Sequence, residues 1–103
     1  MSEDKAGDFL VSHVDKVKVE KIDRAEGMYK QWLMGDDVGA ACCMRKFTMK
    51  EGGEMPMHRH ENLYHLQYVL SGKIKMIIGD EEFEAKEGSF IFIPKGKPHS
   101  YEN

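Results

Sequence analysis

Short runs of alternating apolar and polar residues, broken by glycine-bearing turns, dominate this 103-residue chain. Successive side chains on a strand point to opposite faces, so such alternation marks half-buried β-structure. Val17 and Val19 alternate with Lys16, Lys18 and Glu20 from Val14 onward, and Lys73, Ile74, Lys75 and Met76 alternate up to Ile78. Gly27 interrupts the first pattern, and Met28 to Met34 reads as the next strand, with Tyr29 and Trp32. Gly39 to Met49, Leu63 to Leu70, Glu81 to Ala85 and Ser89 to Ile93 read as further strands. Turn signals fall at Gly35-Asp36-Asp37, Lys50-Glu51-Gly52-Gly53, Ser71-Gly72 and Lys86-Glu87-Gly88. Gly79-Asp80 fits a two-residue hairpin loop with glycine first, as a type II′ turn requires. No segment carries a convincing helical period. Roughly seven to nine strands, spaced about 8 to 12 residues apart, indicate an all-β sandwich or barrel.

A polar N-terminal segment, residues 1–13, precedes a single domain at 14–103; Phe9-Leu10-Val11 is the segment's apolar patch, and His13 reads as a surface or packing residue. Hydrophobic residues make up 41% of the chain, enough for one modest core. No window approaches the ~18 to 20 consecutive apolar residues that cross a bilayer, so no membrane partner is expected. The acidic, polar start lacks the apolar stretch of a secretory signal, which implies a cytoplasmic location. The net charge is −3 with both signs interspersed, unlike the basic footprint of a nucleic-acid binder.

The two cysteines, Cys42 and Cys43, are adjacent in an apolar run and are expected as buried, reduced thiols. Eight methionines are many for this length and read mainly as adaptable core packing. Met55 and Met57 flank Pro56 just ahead of a histidine pair, within reach of a pocket mouth.

That pair carries the chemistry. His58 and His60 stand two apart, so on a strand they present two imidazoles on one face. Four of the five histidines (His58, His60, His65 and His99) lie in the C-terminal half beside glycines and prolines. Pro94-Lys95-Gly96-Lys97-Pro98 reads as a rigid loop delivering His99. The sequence then ends at Asn103 with no obvious closing strand, so the expected barrel has an open edge, a partner strand, or further chain to complete it.

The spacing Gly52-x5-His58-x-His60-x4-His65-x6-Gly72 resembles the first motif of the cupin superfamily, G-x5-H-x-H-x3,4-E-x6-G. Gly88-x5-Pro94-x-Gly96-x2-His99-x3-Asn103 is similar to the second, G-x5-P-x-G-x2-H-x3-N, at every position. The two motifs cover half the chain. The resemblance implies a double-stranded β-helix, a jelly-roll barrel holding one divalent metal ion in its mouth. Carried over, His58, His60 and His99 are ligands. The departure is at position 65, where histidine replaces the motif's glutamate; His65 is taken as the replacement ligand, since Glu61 lies out of register.

Four neutral imidazoles leave the full charge on a divalent ion, and the centre then favours an anionic ligand. Such a ligand set suits iron, copper, nickel or zinc, and the resemblance adds manganese. Strand parity makes Gln67 and Tyr101 candidates for hydrogen bonds to the site, and Arg45 a candidate clamp for a substrate carboxylate. The expected function is a metal-dependent oxygenase, or an isomerase or lyase, acting on a small organic anion. The alternatives are a barrel that binds or senses a small molecule without turnover, and a structural metal site. The apolar outer face of Leu66, Tyr68 and Leu70 invites a partner sheet, with a homodimer as the expected assembly.

Overall fold

The computed structural model describes residues 9–103, so most of the polar N-terminal segment lies outside the described residues. The chain is all-β, as expected, and its residues group into two compact units. Among the described residues no helix is long and apolar enough to cross a membrane.

The first unit comprises residues up to Ile22 together with Tyr29–Thr48. Val14–Lys16 forms a 3-10 turn instead of beginning a strand, because His13 Nδ1 accepts the Asp15 backbone N–H and favours the turn locally. Strand β1 (Glu20–Lys21) pairs antiparallel with β2 (Glu26–Met34), which begins ahead of Gly27 instead of being interrupted by it. The Gln31 side-chain amide donates to the carbonyls of Val14 and Val17, at 3.0 and 3.1 Å, and so pins the turn. Cys42 and Cys43 are free and exposed, contrary to the expected burial. They lie in and just after a bend ahead of β3 (Met44–His58), outside any strand.

The second unit, Asp23–Met28 with Met49–Asn103, holds both histidine motifs. Its larger sheet runs β3–β8–β5–β6, with β5 at Lys73–Ile78, β6 at Glu81–Lys86 and β8 at His99–Glu102. Strands β4 (His65–Tyr68) and β7 (Phe90–Ile93) form a second, two-stranded sheet. The β5–β6 hairpin closes through Gly79-Asp80, and Gly79 adopts φ +67° while Asp80 does not enter positive φ, as the type II′ expectation requires.

Two expectations are corrected here. The Lys50–Gly53 segment is not a turn, since β3 passes straight through it. A Cβ on Gly53 would sit 2.8 Å from the Glu26 carbonyl oxygen, so the glycine permits a close backbone approach that a turn reading misses. The C-terminus also supplies a strand of its own: β8 lies between β3 and β5 and pairs antiparallel with both. Asn103 fastens its end, with the side-chain amide donating to the carbonyls of Met49 and Lys50 at 2.9 Å each.

Burial between the two sheets defines the core. Met76, Ala85 and Ile93 form its centre, with Val69, Ile74, Ile78, Ile91 and Tyr101 packed against it. The parity of β7 therefore turns Ile91 and Ile93 inward, and leaves Phe90 and Phe92 exposed.

Candidate metal centre

His58 ends β3 and His99 begins β8, and the two are cross-strand partners with ring centroids 4.3 Å apart. The ladder shifts register between Met55 and His58. His60 lies just past β3, 5.3 Å from His58 by ring centroids. Its carbonyl accepts the Gly96 N–H at 2.8 Å, which ties the proline-bounded loop of the second motif to the first motif. Ligating nitrogens of His58, His60 and His99 all lie within 4.8 Å of one another. With metal–nitrogen bonds of about 2.0–2.1 Å, small side-chain rotations bring all three to one ion. His65 opens β4 beside this group, its ring 5.0 Å from His60 and 5.5 Å from His99.

The tautomers are set by the backbone. His58 Nδ1 lies 2.9 Å from the Pro56 carbonyl oxygen, and His99 Nδ1 lies 2.9 Å from that of Lys97. A carbonyl only accepts, so both Nδ1 atoms carry the proton and both Nε2 lone pairs are free for ligation. His99 is 1% exposed, and its Nε2 has no hydrogen-bond partner among the described residues. A buried polar atom left so costs about 1–3 kcal/mol, which ligation would relieve.

Burial holds the His99 pKa below its ordinary value of 6.5; the Lys97 carbonyl opposes this, and the nearby His58, His60 and Arg24 add to it. The imidazole is therefore neutral at neutral pH and ready to ligate. The unfolded chain takes up this proton more readily than the folded one. Stability of the metal-free protein should thus be level above pH 6.5 and fall as the pH drops from there through the lower folded value. Denaturant midpoints measured from about pH 8 to pH 5 check this, and a midpoint that rises on acidification would refute it.

Gln67 Nε2 donates to the Tyr101 hydroxyl at 2.6 Å, bridging β4 and β8. The Tyr101 ring lies 5.7 Å from His99 and 6.3 Å from His58, so the pair stands next to the histidines. Met57 is 48% exposed, whereas Met55 is buried opposite Tyr101. Arg45 belongs to the first unit, where its guanidinium sits 5.2 Å from the Phe47 ring centroid. Glu61 pairs with Arg59 at 2.8 Å on the surface.

Comparison with known proteins identifies the family. The family model described as a cupin domain matches residues 45–103, more than half the chain. The chain belongs to the cupin family. A relative from Methanocaldococcus jannaschii, an uncharacterized protein, is 36% identical over 52 residues; the match spans 50% of this cupin and 42% of the relative, less than half its length. The polyketide cyclase RemF from Streptomyces resistomycificus superposes with a TM-score of 0.84 at 29% identity, over 92% of this cupin and 70% of that chain. A predicted oxalate decarboxylase from Thermotoga maritima shares the fold, with a TM-score of 0.81 at 21% identity over 91% and 87% of the two chains.

The donor set of this cupin fits a transition metal: neutral nitrogens, tautomers fixed by carbonyls, and one buried nitrogen in want of a partner. Sequence reasoning missed the carbonyls of Pro56 and Lys97, because backbone groups leave no trace in residue identity. Met76, one of the methionines expected to pack the core, is fully buried opposite Tyr101 across β5 and β8.

Proposed function

We propose that His58, His60, His65 and His99 hold one divalent ion of iron, manganese, copper, nickel or zinc, and that this cupin is a metal-dependent enzyme acting on a small organic anion. The observation that carries the reading is the buried Nε2 of His99, partnerless and held in its ligating tautomer. The ion would supply Lewis acidity, polarising a substrate oxygen. The chain's own residues do the rest. Gln67 Nε2 donates to the Tyr101 hydroxyl and holds that ring beside His99 and His58, at the edge of the site. Neutral imidazoles leave the ion's charge uncancelled and so favour an anion in its vicinity.

The likeness to a polyketide cyclase supports the non-oxidative branch, an isomerase- or lyase-type reaction, over an oxygenase. A barrel that binds an anion without turnover is the second reading. It draws on the histidine group itself, which among the described residues includes no carboxylate to serve as a general base.

Elemental analysis of protein purified without a nickel column tests the site. About one equivalent of a transition metal is expected in the wild type, and affinity lower by roughly 10–100-fold or more in His65→Ala. Absence of metal from the wild type after reconstitution would overturn the ligand assignment. Unaltered affinity in His65→Ala would reduce the set to the three close histidines.

A further inference from the structure

Three sulfur side chains follow one another in the first unit, far along the chain from the histidine motifs. Cys42 and Cys43 are free and exposed, and Met44, the first residue of β3, is exposed as well. The segment that leads to them from β2 is folded back on itself. The Gly35 carbonyl accepts the N–H groups of Val38 and Ala40, at 3.1 and 3.0 Å, and Trp32 Nε1 donates to Asp37 Oδ1 at 3.4 Å. A Cβ on Gly35 would stand 2.6 Å from Trp32 Cζ2 and 3.0 Å from the Cys43 Cβ. Glycine at this position therefore lets the indole and Cys43 close on the same point of the backbone.

We infer that Cys42 and Cys43 chelate one monovalent copper ion, with the Met44 thioether as a third donor. Placement is the first argument. On a strand the two thiols would point to opposite faces, but both precede β3 and are open to solvent on the same short stretch. Ring size is the second. Adjacent Cα atoms stand about 3.8 Å apart, short of the roughly 4.4 Å at which disulfides begin, so direct closure to a disulfide is strained. An ion between the sulfurs adds one atom to the ring and removes that constraint. Donor chemistry is the third. From Val38 to Met44 no side chain is a histidine or a carboxylate, so sulfur is the only side-chain donor type there. Thiolate and thioether together select monovalent copper, whereas zinc takes thiolate, imidazole or carboxylate and completes a set of four. Binding releases the two thiol protons to solvent and moves no electron, leaving a dithiolate complex with one negative charge.

This soft site is separate from the nitrogen set of the histidines, and the experiment keeps the two apart. The full chain is titrated with monovalent copper under anaerobic conditions, in competition with a bathocuproine chelator that reads the affinity. Trp32, the chain's one tryptophan, reads the place, because copper bound beside Cys43 quenches its fluorescence. The wild type should bind one copper per chain in the step that quenches Trp32, and His99→Leu should do the same. Cys42→Ser and Cys43→Ser should each weaken that step roughly 100-fold or more, and Met44→Leu roughly 10-fold. The cysteines are exposed, so circular dichroism should show each serine variant folded as the wild type. A single serine substitution that leaves the affinity unaltered would overturn the two-sulfur chelate. Loss of the quenching step in His99→Leu would assign the copper to the histidines and overturn the separate site. One copper per two chains would overturn a site built within one chain, and an unaltered Met44→Leu would remove the third donor.

Discussion

Replacing His99 with leucine should abolish metal loading and yet leave the metal-free chain about as stable as before. Two changes oppose each other in the metal-free state. The variant loses the Nδ1–H bond to the Lys97 carbonyl, worth about 1 kcal/mol, and removes the unpartnered buried Nε2, which costs about 1–3 kcal/mol where it stands. Leucine also fills a similar volume, so no large cavity opens. The metal-free melting temperature should therefore lie within a few degrees of the wild type, or above it. Metal separates the two proteins. A ligand at about 1,000 times its dissociation constant stabilises the folded state by about 4 kcal/mol, a rise of about 15 °C or more for a domain of this size. Wild type should show that rise on titration with manganese or nickel, and His99→Leu should show almost none. Equal gains in both would remove His99 from the ligand set.

The site was more legible than the strands that carry it. Motif spacing names residues directly, and the structure brings His58, His60 and His99 together as that spacing implied. The hairpin at Gly79-Asp80 was equally clear, because a two-residue loop with leading glycine has few other uses. The misread segments were those decided by distant chain. Gly52-Gly53 looks like a turn, but Gly52 N–H donates to the Asn103 carbonyl and Asn103 N–H to that of Gly53, both at 2.9 Å, which keeps the strand running. His99–Glu102 is too short and polar to announce a strand. It becomes one because β3 and β5 flank it and supply the backbone partners. Cys42 and Cys43 sit in an apolar run that ought to be buried, yet the strand starts one residue later and leaves them outside. In the first two cases local propensity yielded to a pairing that residue identity does not record.

Neighbouring positions on β7 should respond to truncation in opposite ways. Ile93 is 0% exposed at the centre of the core, and it faces His65 across the β4–β7 ladder. Ile93→Ala should cost about 2–5 kcal/mol, from lost burial and the cavity left behind. Against a total stability of about 5–15 kcal/mol, that lowers the melting temperature by roughly 10–30 °C. The loss should be the same at every protein concentration, because the missing contacts lie within one chain. Phe92 projects the other way, into the apolar outer patch. Its truncation should change the stability of a single chain by no more than about 0.5 kcal/mol. In a dimer joined through that patch, Phe92→Ala should instead lower the melting temperature more as the protein is diluted, since association stabilises the folded state by mass action. Calorimetry of both variants over a hundredfold concentration range, about 1–100 μM, reads the two effects apart. An Ile93→Ala chain that melts with the wild type would take Ile93 out of the core. It would also reverse the parity of β7 and, with it, the face on which His65 meets the other histidines.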